Sequence, residues 1–106
     1  MGGQISKMAS VYNIIEKVAK TGKIDKGVNE VTKAVERGVA RLVVIAKDVE
    51  PKELLQHIPI ICKEKNIKLI EADSKQKLGI SAGINVSCSA IAVIEPGEAQ
   101  KDIASL

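Results

Sequence analysis

The run Leu42-Val43-Val44-Ile45-Ala46 constrains the fold more than any other feature of the chain. It contains no polar residue. A run this short is not a helix, and it offers no face to water. It reads as a β-strand covered on both sides. The rest of the chain must then supply two covering layers.

The flanking segments do so with helical spacing. From Met8 to Thr21 the apolar positions are Met8, Val11, Ile14, Ile15, Val18 and Ala19, and Gly22 is expected to end that helix in a left-handed conformation. A basic stretch, Lys23 to Gly27, holds room for a brief strand. A second helix is expected from near Asn29 to Arg37, with Val31, Ala34 and Val35 facing inward and Gly38 as its stop. Glu53 to Ile58 reads as helical, with Pro59 kinking or restarting a helix that runs on to Lys65. Ile67 to Ala72 is a strand. Ser74 caps a helix from Lys75 to about Ala82, with Gly83 at its end. A loop over Ile84 to Ser87 leads into a strand from Cys88 to Ile94, broken by Pro96-Gly97. The tail from Glu98 holds one or two helical turns. Helices alternate with strands throughout, and no repeat or linker interrupts them. The pattern predicts one α/β domain over residues 1–106, a three-layer α/β/α sandwich on a mixed sheet of about four strands, with residues 1–7 flexible.

Composition narrows the function. Tyr12 is the only aromatic residue in 106. Modules that hold single strands by stacking bases on Phe or Trp are therefore excluded. The formal charge is +3, which tolerates a nucleic-acid partner without requiring one. Cys62 and Cys88 form no CxxC pair and His57 is the only histidine, so no metal site is expected. The cysteines read as reduced, buried thiols and His57 as a structural residue near a helix end. No nucleophile–base pair and no Gly-rich phosphate loop is present, so neither a catalytic centre nor a cofactor is expected. No apolar run approaches the roughly 18 residues of a membrane span. The expected setting is cytoplasmic, or nuclear in a cell with a nucleus, without contact to a membrane.

The segment Lys26-Gly27-Val28-Asn29-Glu30-Val31-Thr32-Lys33 concentrates polar chemistry at the start of a helix. Gly27 lets a backbone come close to a partner. Helical spacing groups Asn29, Glu30 and Lys33 around the exposed helix end, where backbone N–H groups face an incoming anion. Lys33 can donate to guanine O6 and N7, Asn29 can donate and accept, and Glu30 can accept from guanine N1 and N2. The same residues also suit a plain structural role. Asn29 would cap the helix, Glu30 would favour its positive end, and Lys33 would be solvated. Spacing alone leaves both readings open.

A longer match separates them. The run Gly27-Val28-Asn29-Glu30-Val31-Thr32-Lys33-Ala34-Val35-Glu36-Arg37-Gly38 resembles the archaeal large-subunit ribosomal protein seven-Ae family, the kink-turn RNA binders. So do Leu42 to Pro51, His57-Ile58-Pro59, Cys62-Lys63-Glu64-Lys65, Ser74-Lys75 and Leu78-Gly79. The resemblance covers the chain from about Val11 to Gly97. It implies one domain that grips a sharply bent RNA whose tandem sheared G·A pairs adjoin a three-nucleotide bulge. Asn29, Glu30 and Lys33 would read the guanines, with Lys26, Gly27 and Arg37 supporting the phosphate backbone or the helix end. A flipped-out bulge nucleotide would enter a pocket lined by Glu50, Leu54 and Lys75. The loop Ile84 to Ser89 would cover the bulge through Ile84, Val86 and Ser87. The resemblance further implies a monomeric assembly platform on ribosomal RNA and on box C/D or H/ACA guide RNAs. Its partners would be those RNAs and ribonucleoprotein core proteins, and another subunit would do the chemistry.

Some positions depart from the family pattern. Val86 or Ser87 stands where some eukaryotic relatives place Arg and Pro, which favours an archaeal type. Ser89 replaces an aliphatic residue, Asp73 adds negative charge beside Ser74-Lys75, and Glu71-Ala72 replaces a more apolar strand. Two rival readings stand beside RNA binding. One is a protein-interaction module on the same fold, for which the neutral loop and Asp73 speak. The other is a small α/β enzyme or metabolite-binding domain, which requires a deep pocket with perturbed ionisable groups.

Overall fold

The computed structural model describes residues 3–49 and 52–104, with side chains at 3–10, 52 and 54 excepted. Five α-helices and four strands alternate along it. They are α1 Gly3–Thr21, β1 Lys23–Lys26, α2 Val28–Glu36, β2 Leu42–Ala46, α3 His57–Glu64, β3 Lys68–Ala72, α4 Lys75–Ser81, β4 Ala90–Glu95 and α5 Gln100–Ala104. Short 3-10 turns at Lys52–Leu55 and Gly97–Ala99 complete the order. Helix α1 begins at Gly3, ahead of the expected Met8.

The sheet order is β1-β4-β2-β3. Strand β4 pairs antiparallel with both β1 and β2, while β2 pairs parallel with β3, so the sheet is mixed. All five residues of β2 are buried. The absence of any polar position in that run is thus matched by cover on both faces. Helices α1 and α4 pack together, as do α2 and α3, which gives the expected three layers. Val11, Ile14, Ile15 and Val18 of α1, and Val31, Ala34 and Val35 of α2, enter one aliphatic core with β2 and β4.

Helix ends follow local chemistry. Gly38 (φ 73°) closes α2, with its own N–H bonded to the Val35 carbonyl and that of Val39 to Ala34. This double bond pattern is the Schellman motif. Gly83 closes α4 in the same way. Asn66 closes α3 with φ 57°, a conformation that Asn tolerates better than most residues. Ser74 caps α4, accepting from the Lys77 N–H at 3.2 Å.

Two expectations are corrected. Gly22 does not take a left-handed conformation. A β-carbon there would collide with the carbonyl of Glu95, so it is close approach that requires glycine. The break in the third helical region falls at Gln56 rather than Pro59, which sits as the third residue of α3. The first N–H groups of a helix have no intrahelical partner, so a proline there loses no bond.

The clear shifts in acidity lie in this framework. A hydrogen bond and ion pair with Asp102, at 2.8 Å, raise the Lys17 ammonium and tie α5 to α1. Burial pushes the Cys62 thiol up.

Candidate functional site

The sheet topology puts the C-terminal ends of β1, β2 and β3 at one edge with the N-terminal end of β4. The starts of α2 and α4 and the loop of residues 84–89 gather there. Backbone bonds lock them together. Gly27 N–H donates to the Ala90 carbonyl at 2.9 Å and Ala46 N–H to Ser89 at 2.9 Å. Lys47 N–H reaches Ala72 at 2.9 Å, and Cys88 N–H reaches the Lys75 carbonyl at 2.9 Å. The Asp48 carboxylate accepts from the Lys75 N–H at 2.8 Å.

Gly27, not Asn29, is the N-cap of α2. It has φ 99° and ψ 153°, and no side chain caps the helix. The first intrahelical bond runs from Val31 N–H to Gly27 O at 3.0 Å. The N–H groups of Val28, Asn29 and Glu30 precede it, and the helix dipole adds positive potential beside them. The capping role considered for Asn29 is therefore replaced by a position inside the first turn. Asn29, Glu30 and Lys33 are exposed. Among the described residues, no hydrogen bond or ion pair occupies these three side chains. Lys26, also exposed, lies at the end of β1 just before them.

Helix α2 is held from behind. The Thr32 hydroxyl donates to the Val28 carbonyl at 2.7 Å. Its proton is thus committed, and the 2.7 Å contact with His57 Nε2 is one in which the ring donates.

On the other side of the site, Ile84 is half-buried while Val86 and Ser87 are exposed. The loop carrying them rests on α4. Ile84 N–H donates to the Gly79 carbonyl at 3.1 Å, and a β-carbon on Gly79 would collide with the Val86 carbonyl oxygen. Lys75, half-buried, contributes with Val86 and Ser87 to a concavity of about 370 Å³.

Not every expected residue joins this group. Arg37 is the C-cap of α2, about 15 Å of helix from Gly27 at the standard rise. Glu50 and the side chain of Leu54 fall outside the described residues, so their expected pocket with Lys75 has no geometry here. Nearby, a second concavity of about 300 Å³ is lined by Lys47, Val49, Leu55, Gln56, Pro59 and Glu71, among others. Gln76, Ile80 and Asn85, which line the larger one, escaped the sequence reading. Ile80 carried a signal, because it follows the buried Leu78 by two positions and therefore faces away from the core. Among the described residues no cluster of three metal-ligating side chains occurs, and no helix is long and apolar enough to cross a membrane.

Comparison with known proteins places this architecture. A solved structure titled Giardia lamblia 15.5kD RNA binding protein matches with a TM-score of 0.85 and 28% sequence identity, covering 93% of this chain and 82% of that one. Residues 9–103 match a family model that takes in every strand and nearly all of the helical framework. The chain belongs to the Ribosomal protein L7Ae/L30e/S12e/Gadd45 family.

Proposed function

We propose that this protein binds RNA at kink-turns and carries no catalytic activity of its own. One observation supports this above the rest. Among the described residues nothing pairs with the side chains of Asn29, Glu30 and Lys33, which stand on a helix start without a side-chain cap, beside a loop pinned to the same sheet edge. Side chains with no intramolecular partner keep their hydrogen-bonding capacity for a ligand. The combination of two donors and a carboxylate matches the edge of guanine, whose N1 and N2 donate while O6 and N7 accept. A carboxylate facing phosphates is repulsive unless a base donor meets it, so Glu30 acts in selectivity. Open N–H groups and Lys26 suit the backbone of the same strand. Family membership and the RNA-binding name of the Giardia lamblia structure favour the same reading.

In this reading the protein acts by differential binding. It holds the bent RNA more tightly than the open form and so shifts the RNA's population towards the bend. Bound as a monomer in the cytoplasm or nucleus, on ribosomal or guide RNA, it presents a fixed RNA shape on which core proteins assemble.

A titration at fixed salt tests the reading. The RNAs are a kink-turn and the same sequence with its G·A pairs replaced by Watson–Crick pairs, and the proteins are wild type and Glu30→Ala. Selective binding of the kink-turn, weakened by Glu30→Ala, is the expected result. Equal, weak binding of both RNAs overturns it and turns attention to protein partners.

A further inference from the structure

Val28 and Thr32 stand one turn apart on α2, in a row beside that of Asn29 and Lys33. The Thr32 hydroxyl donates to the Val28 carbonyl at 2.7 Å, and Nε2 of His57, the first residue of α3, donates to that hydroxyl at 2.7 Å. Two hydrogen bonds in series thus run from α3 into the first turn of α2. They end on one particular peptide unit. The unit that carries the Val28 carbonyl at one end carries the Asn29 N–H at the other. That N–H is one of the open donors of the helix start, and among the described residues nothing accepts from it.

A peptide unit is planar, so holding the direction of its carbonyl holds the direction of its N–H. A hydrogen bond accepted by the carbonyl also polarises the unit and makes its N–H a stronger donor. The start of α2 has need of such a restraint. No side chain caps it, and the residue before it is Gly27 at φ 99°, the least restricted residue type. The relay from α3 therefore restrains the first turn from the side away from its open N–H groups. Its reach is specific, because both bonds involve named side chains rather than general packing.

We infer that His57 and Thr32 are positioning residues for RNA selectivity. Acting through the Val28 carbonyl, they orient and strengthen the Asn29 N–H and set the attitude of the turn that carries Asn29 and Glu30. Neither side chain reads the RNA. The Thr32 hydroxyl is engaged on both sides, by Val28 and by His57. Helix α3 contributes no side chain to the proposed interface, yet it takes part in recognition through this relay. The assignment rests on the kink-turn reading and deepens it.

The test measures His57→Ala, Thr32→Val, the double variant and His57→Gln against a kink-turn RNA and its Watson–Crick control at fixed salt. Thermal melts set an assay temperature at which every variant is fully folded, so lost stability alone moves neither affinity. His57→Ala and Thr32→Val are each expected to weaken kink-turn binding about threefold to tenfold, the scale of one hydrogen bond, and to leave the control unchanged. The double variant loses no more than Thr32→Val, because both act through one relay. His57→Gln, whose amide N–H can donate to Thr32, restores most of the affinity. In the free protein the Asn29 amide proton signal moves in Thr32→Val and in His57→Ala, the sign of a changed bond at the Val28 carbonyl. Folded variants that bind the kink-turn like wild type overturn the inference, since the bond would then serve stability alone. Equal losses on both RNAs, or losses that sum in the double variant, also overturn it. Selective binding by wild type, weakened by Glu30→Ala, keeps the parent reading standing in those cases. If wild type fails to distinguish the two RNAs, both fall together.

Discussion

The α-carbon of Gly79 and the carbonyl oxygen of Val86 are in such close approach that a β-carbon on Gly79 would overlap that oxygen. Gly79 is fully enclosed, whereas the Val86 side chain points out to solvent. The glycine in α4 thereby sets the height at which the loop of residues 84–88 stands over the sheet edge. Gly79→Ala must push the loop away, because the obstacle is backbone rather than a movable side chain. The expected loss of stability is about 1–3 kcal/mol, as for other overpacked positions. Chemical denaturation measures it, and RNA affinity should fall with it. An alanine variant as stable as wild type would show that the loop yields freely.

Lys26 and Lys33 should separate affinity from selectivity. A lysine that meets phosphate loses its effect as salt rises, whereas one that meets a base changes which RNA is preferred. Lys26→Ala is expected to lower the slope of log affinity against log salt by about one phosphate contact, with kink-turn preference kept. Lys33→Ala is expected to reduce that preference by about 1–3 kcal/mol. Titrations of both RNAs at several salt concentrations distinguish the two effects. Identical behaviour of the variants would contradict the division of labour.

The bond between Thr32 and His57 joins α2 to α3 at 2.7 Å. Thr32→Val and His57→Ala should each cost about 0.5–1.5 kcal/mol of folding stability, the usual worth of one hydrogen bond. The double variant should lose less than the sum, since either change alone removes the bond. Urea denaturation of the four proteins gives the coupling. Full additivity would mean the contact contributes nothing.

Cys62 is buried in α3, and burial raises its thiol above the ordinary range. Folding favours the neutral thiol, so the stability it contributes is complete below the unfolded-state pKa. That stability is lost as pH rises through the higher folded-state value. Unfolding free energy should therefore decline on the alkaline side more steeply for wild type than for Cys62→Ala. The native thiol should also resist alkylation at neutral pH and react once the chain is unfolded. Rapid alkylation of the folded protein would contradict its burial.

At the other end of the chain, Lys17 and Asp102 hold α5 on α1 at 2.8 Å. The pairing raises the Lys17 ammonium, so its contribution is present below the ordinary lysine range and disappears as pH rises through the raised value. Both groups are accessible to water, and salt screens such a pair. Asp102→Asn is expected to increase amide exchange in α5 at low salt, with little change at high salt. Equal exchange in both proteins at low salt would show that the apolar contacts of Ile103 suffice.

Much of this fold was legible in single segments. The run Leu42 to Ala46 could only be a strand covered on both faces, because it left water no face. Gly38 and Gly83 marked helix ends, and Ser74 a helix start, because a backbone conformation or a cap is a property of one residue and its near neighbours. The helix start at Asn29 to Lys33 was visible for the same reason. Gly22 was misread because its constraint is the Glu95 carbonyl, far along the chain. The sequence by itself thus determined the elements and the polar side chains of α2. Only the tertiary structure decided that the start of α2, the end of β2 and the loop of residues 84–89 share an edge. That edge depends on the strand order β1-β4-β2-β3 and on bonds such as Gly27 to Ala90 and Ala46 to Ser89. Those bonds join backbone groups distant in the chain, and backbone groups carry no residue-specific mark. No local pattern announces them, and they form only when the aliphatic core brings the strands together.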